Sequence, residues 1–216
     1  MFDQLFSVEN PVLRAISRMV DLVWLNILTL IGCIPIITAG ASFAAMYSVL
    51  LKMVRNEEGY VTKGYLKGFK ENFGKATKVW ILALIIGTIG AINLYLISQG
   101  IMSEFGILGE VVVTVVVFAV LAQLIWLMYI LALIARYENT LGATIKNAVL
   151  LSIANLPRSI CILVIFFSPV ALMTLHNAFI IFWFLYGFAF PGYANAILFR
   201  AVFDKLERQQ SSEAAS

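Results

Sequence analysis

The chain has 216 residues, of which 62% are hydrophobic and 12% charged. A soluble domain carries about a quarter charged residues, and a core of this size cannot hide so much apolar surface. A free-standing soluble fold is therefore excluded, and the solvent implied is a bilayer. The net charge of +3 says less than where the charges lie.

Four stretches lack Asp, Glu, Lys and Arg altogether: 22–51, 79–103, 111–135 and 159–199. A spanning helix needs about 20 residues. The first stretch holds "IGCIPIITAGAS", in which Pro35 and Gly40 both disfavour an unbroken helix. It reads as two short, closely joined helices, 22–38 and 41–54. The runner-up is one crossing, giving five spans with the N-terminus outside. "AGA" at 39–41 also has the look of a small-residue cleavage site, but the apolar run continues past it and the residues before it are long and partly acidic. The next two stretches predict single spans at 79–99 and 110–135. The last fits two, 159–175 and 178–199, with a turn at Leu175 to Asn177 and a kink or break at Pro191.

Between the second and third helices, Lys52 to Lys78 holds seven of the fifteen Lys and Arg residues and only three acids. Positive segments resist translocation, so this segment is expected in the cytoplasm. The loop at 99–110 has no Lys or Arg and is expected outside. Arg136, Lys146 and Arg158 return the chain inside; the turn at His176 is outside; and Arg200, Lys205 and Arg208 end it inside. Arg14 and Arg18 favour an inside N-terminus, so both termini are expected in the cytoplasm. Tyr65, Leu66, Phe69 and Phe73 share one helical face, with Lys63, Lys67 and Lys70 beside it. This predicts an amphipathic helix on the inner leaflet, where anionic lipid favours each nearby cation by about 1 kcal/mol. A topology determinant and lipid anchor is the plainer reading; a docking surface for a partner, including Arg55 and Arg136, is the sharper one. Nucleic acid is not expected, because the membrane already accounts for the basic helix. "VRNEEG" at 54–59 and "ARYENT" at 135–140 form a weak echo, compatible with a parallel repeat.

Charged residues inside spans are functional candidates by default, and no predicted span carries one near its middle. That argues against carboxylate proton relays and voltage sensing. The polar residues available are Asn26, Thr29, Asn93, Gln123, Ser168 and Asn195, which ordinarily bond helix to helix. Asn26, Asn93, Gln123 and Asn195 are also the candidates for lining a solute path. His176 is the only histidine, and a lone His makes no metal site. Cys33 and Cys161 lie apart in apolar runs and suggest neither metal nor disulfide. No nucleotide or zinc-protease motif is present. No catalytic residue, metal or cofactor is expected, and the chain is not read as an enzyme.

The fold expected is all-α: a polytopic transmembrane bundle of about six helices with cytoplasmic amphipathic helices. It forms one domain over 1–206, with a disordered polar tail at 207–216. The run from "NPVLRAISRMVDLVWLN" through "IPIITAGAS" to "KMVRNEEGYV", with "FKENFGKAT", "LSIANLPRS" and "FPGYANAILFRAVFD", resembles the YesL-like family of small bacterial integral membrane proteins, a domain of unknown function. The resemblance covers about Phe2 to Leu206. It implies a bacterial plasma-membrane protein, often encoded near carbohydrate ABC transporters. From it follows an expected role as an accessory to carbohydrate uptake, with ABC transporter permease subunits as partners. The alternative is a stand-alone permease or channel for a neutral solute.

Overall fold

The computed structural model describes residues 11–57, 59–100, 105–174 and 179–214. Among them are eight α-helices and no strand. In chain order these are α1 (Pro11–Cys33), α2 (Ala39–Val54), α3 (Val61–Ser98), α4 (Ile107–Arg136), α5 (Leu141–Ala154), α6 (Leu156–Met173), α7 (Phe179–Tyr186) and α8 (Ala189–Ala214). Five segments are long and apolar enough to cross a membrane: Leu13–Cys33, Ile36–Val54, Val61–Ser98, Ile107–Arg136 and Leu156–Met173. This is the all-α bundle expected, and it is compatible with a multi-pass membrane protein.

Pro35 ends α1 as anticipated. It pushes Ile34 out of helical backbone, and a short 3₁₀ turn at Ile36–Thr38 leads into α2. Thr38 Oγ1 donates to the Gly32 carbonyl at 2.8 Å, satisfying one of the acceptors that a helix end leaves open. Gly40 does not break a helix. It lies inside α2, where a Cβ would sit 2.3 Å from Trp80 Cβ, so this glycine serves a close approach to α3. The first helix is also not short: it starts at Pro11 and has 23 residues.

α2 is the central helix. Twelve of its 16 residues are buried, against α1, α3, α4 and α8. Around it Tyr47, Tyr129, Phe199 and Phe203 form an aromatic stack, with ring centroids 5.0 Å apart between Tyr129 and Phe199 and 5.6 Å between Tyr47 and Phe199. The helix ends in a double turn. Asn56 takes the left-handed conformation, φ 56°; its N–H donates to Met53 O at 3.1 Å, and the Glu57 N–H donates to Lys52 O at 3.0 Å. Asn tolerates this conformation better than most residues.

The basic segment and the next span are one helix. α3 runs unbroken for 38 residues, about 57 Å at 1.5 Å per residue. The separate amphipathic helix expected on a leaflet is therefore corrected. Tyr65 is buried and hydrogen-bonds to Ser42 at 2.8 Å, and Gly68 packs on Ser48 of α2. Tyr65, with Phe69 partly, thus packs against protein. Phe73 and Leu66 remain exposed.

The α1–α2 turn meets α3 at Trp80, whose Nε1 donates to Ile36 O at 2.7 Å. Beyond that point α3 continues from Ile81 to Ser98, about 27 Å at the helical rise, and pairs with the first part of α4. Gln123 Nε2 donates to Ala83 O at 2.7 Å, and a Cβ on Gly90 would meet Val120. Between Leu84 and Leu127, Gly109 is the one buried residue among those described. The α3–α4 hairpin is therefore an apolar, outward-facing pair close to the thickness of a bilayer's hydrocarbon core, about 30 Å.

The last predicted span, 178–199, is not one helix. It divides into α7 and α8 at Gly187–Phe188, not at Pro191. Pro191 is the third residue of α8, within the first turn, where the missing N–H costs nothing. The expected disordered tail is helical through Ala214. The turn expected at Leu175 to Asn177, with His176, lies outside the described residues.

Candidate functional site at the basic end of the bundle

Three of the bundle's parts meet where α2 and α4 end and α3 begins. Lys52 comes from the last turn of α2, Lys67 and Lys75 from α3, and Arg136 from the last residue of α4. Together they line a cleft of about 500 Å³. Spacings of three, four and seven residues share one helix face, which sets Gly64, Lys67, Gly68, Glu71 and Lys75 along one stripe of α3. Glu71 and Glu138 supply the acids of the lining; Glu71 lies 3.8 Å from Lys67. Lys75 Nζ also donates to Asn139 O at 2.9 Å, tying α3 to the α4–α5 link.

Arg136 is the best-held of these cations. Its side chain is 8% exposed, and Nη2 reaches Glu207 Oε1 at 2.6 Å. Nε donates to the same oxygen at 3.2 Å, and Tyr137 Oη donates to it at 2.7 Å. The guanidinium lies over the Tyr137 and Phe203 rings, 5.4 and 5.8 Å from their centroids. Nη1 is buried and has no hydrogen-bond partner among the described residues. Burial alone would raise the Glu207 carboxyl, but the hydrogen bonds from Arg136 and Tyr137 outweigh it and hold the group below the usual range. Burial, and then the bond to Glu207, push Tyr137 up to about 12.

A depressed carboxyl contributes stability above its unfolded value, about 4.3, and loses it as pH falls through the folded value. Acidification below about pH 4 should therefore release α8 from Arg136. Proteolysis near Glu207 should accelerate there in the natural protein. In Glu207→Gln it should already be faster at neutral pH and nearly flat across the acid range.

Of the five basic residues singled out from the sequence, the cleft joins Lys67 and Arg136. Lys63 and Lys70 lie with Tyr60, Thr62 and Leu66 on an open face of α3 that Lys67 borders. Arg55 pairs with Glu57 at 3.7 Å. Sequence reasoning missed Lys52 and Lys75. The eight-residue interval from Lys67 to Lys75 was a usable signal; the approach of Lys52 depends on how α2 packs and was not.

The four candidates for a solute path are not brought together. Asn26, fully buried on α1, clamps the α7–α8 break: Oδ1 accepts from the N–H groups of Phe188 (2.8 Å) and Ala189 (3.0 Å), and Nδ2 donates to Phe184 O (2.8 Å). Asn195 Nδ2 donates to Ile162 O at 3.1 Å, joining α8 to α6. Gln123 joins α4 to α3 as described above. Asn93 bonds to Ile89 O within its own helix at 2.8 Å. The echo between 54–59 and 135–140 is partial. Both stretches end a helix, but one is followed by the continuous α3 and the other by α5 and α6, broken at Asn155.

Residues 22–94 match a family model described as "Protein of unknown function, DUF624". That stretch is similar to a family without an assigned activity. It takes in the second half of α1, all of α2 and most of α3, so it includes Lys52, Lys67 and Lys75 but stops short of Arg136. No curated protein and no solved structure matches the chain.

Proposed function

We propose that this chain is an accessory component of a membrane assembly, acting through the lysine-bearing face of α3, with its partners among the permease subunits of carbohydrate ABC transporters. The observation that carries this reading is the exposed stripe of Lys63, Lys67 and Lys70 on α3, accompanied by Leu66, with Glu71 the acid beside it. Cations with an apolar neighbour suit the acidic rim of a protein partner at the membrane surface. The resemblance noted from the sequence supplies the partner class and the bacterial plasma membrane. The charge asymmetry of the sequence supports a cytoplasmic position for this face and for both termini. The permease alternative is weakened because each of the four polar residues of its path donates its amide to a helix backbone carbonyl, in four separate contacts.

The test is purification of the tagged protein from its own membrane in mild detergent, with mass spectrometry of what accompanies it. Permease subunits in stoichiometric amounts are expected. Replacing Lys63, Lys67 and Lys70 with Gln should deplete them while the protein still inserts. A homogeneous protein without partners, which carries sugars across proteoliposomes, would overturn the reading in favour of a permease.

A further inference from the structure

We propose that the cleft between α2, α3 and the α4–α5 corner binds a phosphate monoester, through Lys52, Lys67, Lys75 and Arg136. Four cations from three helices converge there on about 500 Å³, within the size range of small-molecule sites. Two carboxylates, Glu71 and Glu138, share the lining, and Glu207 offsets Arg136 from behind. Positive charge therefore remains in excess. A phosphate monoester carries about −1.5 to −2 charges and three acceptor oxygens, which matches several donors arriving from different directions.

Arg136 is the most rigidly held member. Its ion pair with Glu207 and the rings of Tyr137 and Phe203 hold the guanidinium in place, yet Nη1 is buried without an acceptor among the described residues. Nη1 has almost no accessible surface, so Arg136 adds a fixed positive field to the cleft from within its wall, and the three lysines make the direct contacts to the phosphate oxygens. Ser48 and Asn72 add neutral polar groups to the same wall. Lys75 lies four residues before Val79, where the long uncharged stretch of α3 begins. The cleft is therefore open to two sources of one chemistry, a soluble phosphate monoester or the phosphate of a lipid such as phosphatidic acid.

The experiment measures thermal melting of the purified full chain with three probes. Inorganic phosphate and glycerol 3-phosphate are titrated in detergent. Separately, nanodiscs of phosphatidylcholine are compared with and without phosphatidic acid. A saturable rise in Tm with the soluble probes identifies a soluble ligand; a rise with phosphatidic acid alone identifies a lipid headgroup. In either case Lys52→Gln with Lys67→Gln should weaken the effect about tenfold, the equivalent of one charge-assisted hydrogen bond. Lys63→Gln with Lys70→Gln removes the same charge outside the cleft and should change it less than about twofold. The four lysines of the two pairs, Lys52, Lys67, Lys63 and Lys70, are all exposed, so both pairs are expected to fold, and Lys75→Gln alone gives an independent third reading. Equal loss in the two pairs would reveal a diffuse charge effect and overturn the site. So would the absence of any Tm rise with all three probes. Lys67 belongs to both faces, whereas Lys52 lies in the cleft alone, so loss of the phosphate response in Lys52→Gln by itself, with partner capture intact, separates this proposal from the docking reading.

Discussion

Asn26→Ala is expected to lower the unfolding free energy by about 2–4 kcal/mol, since it strips three backbone groups at a buried helix break of their partners. Two N–H groups at the start of α8 and one carbonyl at the end of α7 depend on this side chain. Gly187 and Phe188 cannot continue the helix there to satisfy them, and in an apolar medium no water replaces the lost bonds. Hydrogen bonds between membrane helices are often weaker than this; the larger figure follows from three groups at one residue. Titration with a denaturing detergent, read by circular dichroism, measures the change. Asn93→Ala is the control. Its amide bonds only within its own helix, so its effect should stay within about 0.5 kcal/mol. Equal, small effects from the two would remove Asn26 from its structural role and return it to the candidates for a solute path.

The second large effect is at Gly40. A Cβ there would sit 2.3 Å from Trp80 Cβ and 2.9 Å from the Ala76 carbonyl. Neither is the free end of a flexible side chain, so α2 and α3 must move apart. Gly40→Ala should therefore cost about 2–3 kcal/mol by overpacking, even though Ala favours a helix over Gly by about 1 kcal/mol. The shift would also disturb the Trp80 bond to Ile36 O that seats the α1–α2 turn. Gly74, also helical, has nothing within 4 Å of its built Cβ. Gly74→Ala should accordingly stabilise by about 0.5–1 kcal/mol. The opposite signs of these two substitutions, read in one unfolding assay, check how closely α2 and α3 pack.

The class of fold was legible because uncharged runs of spanning length leave few alternatives. Pro35 was legible as a helix end because it constrains both itself and Ile34. Gly40 was misread, since a glycine inside an apolar run is as consistent with close packing as with a break. The join of the basic segment to the span could have been anticipated: nothing between Phe73 and Val79 stops a helix except Gly74, which an exposed helix tolerates at modest cost. Pro191 misled in the other direction, because proline is harmless in a first turn and the true break was set by Asn26, 162 residues from Phe188 in sequence. The tail carries Glu207, Arg208, Gln209 and Gln210, all good helix formers, and Glu207 gains a partner in Arg136 that only the fold supplies. The cleft was half visible for the same reason. Spacing along α3 reveals Lys67 and Lys75 as one face, whereas Lys52 and Arg136 join them through packing across α2 and α4.

The proposed placement of the basic half of α3 in the cytoplasm, with its apolar half crossing the bilayer, is tested most directly by cysteine labelling in intact cells. The background would carry Cys33→Ser and Cys161→Ser, and a membrane-impermeant maleimide would be the reagent. Gln99→Cys, one residue past the end of α3, should be labelled from outside. Lys67→Cys should be labelled only after the cells are opened. Labelling of Lys67→Cys from outside with Gln99→Cys protected would contradict the topology, and with it the cytoplasmic partner surface.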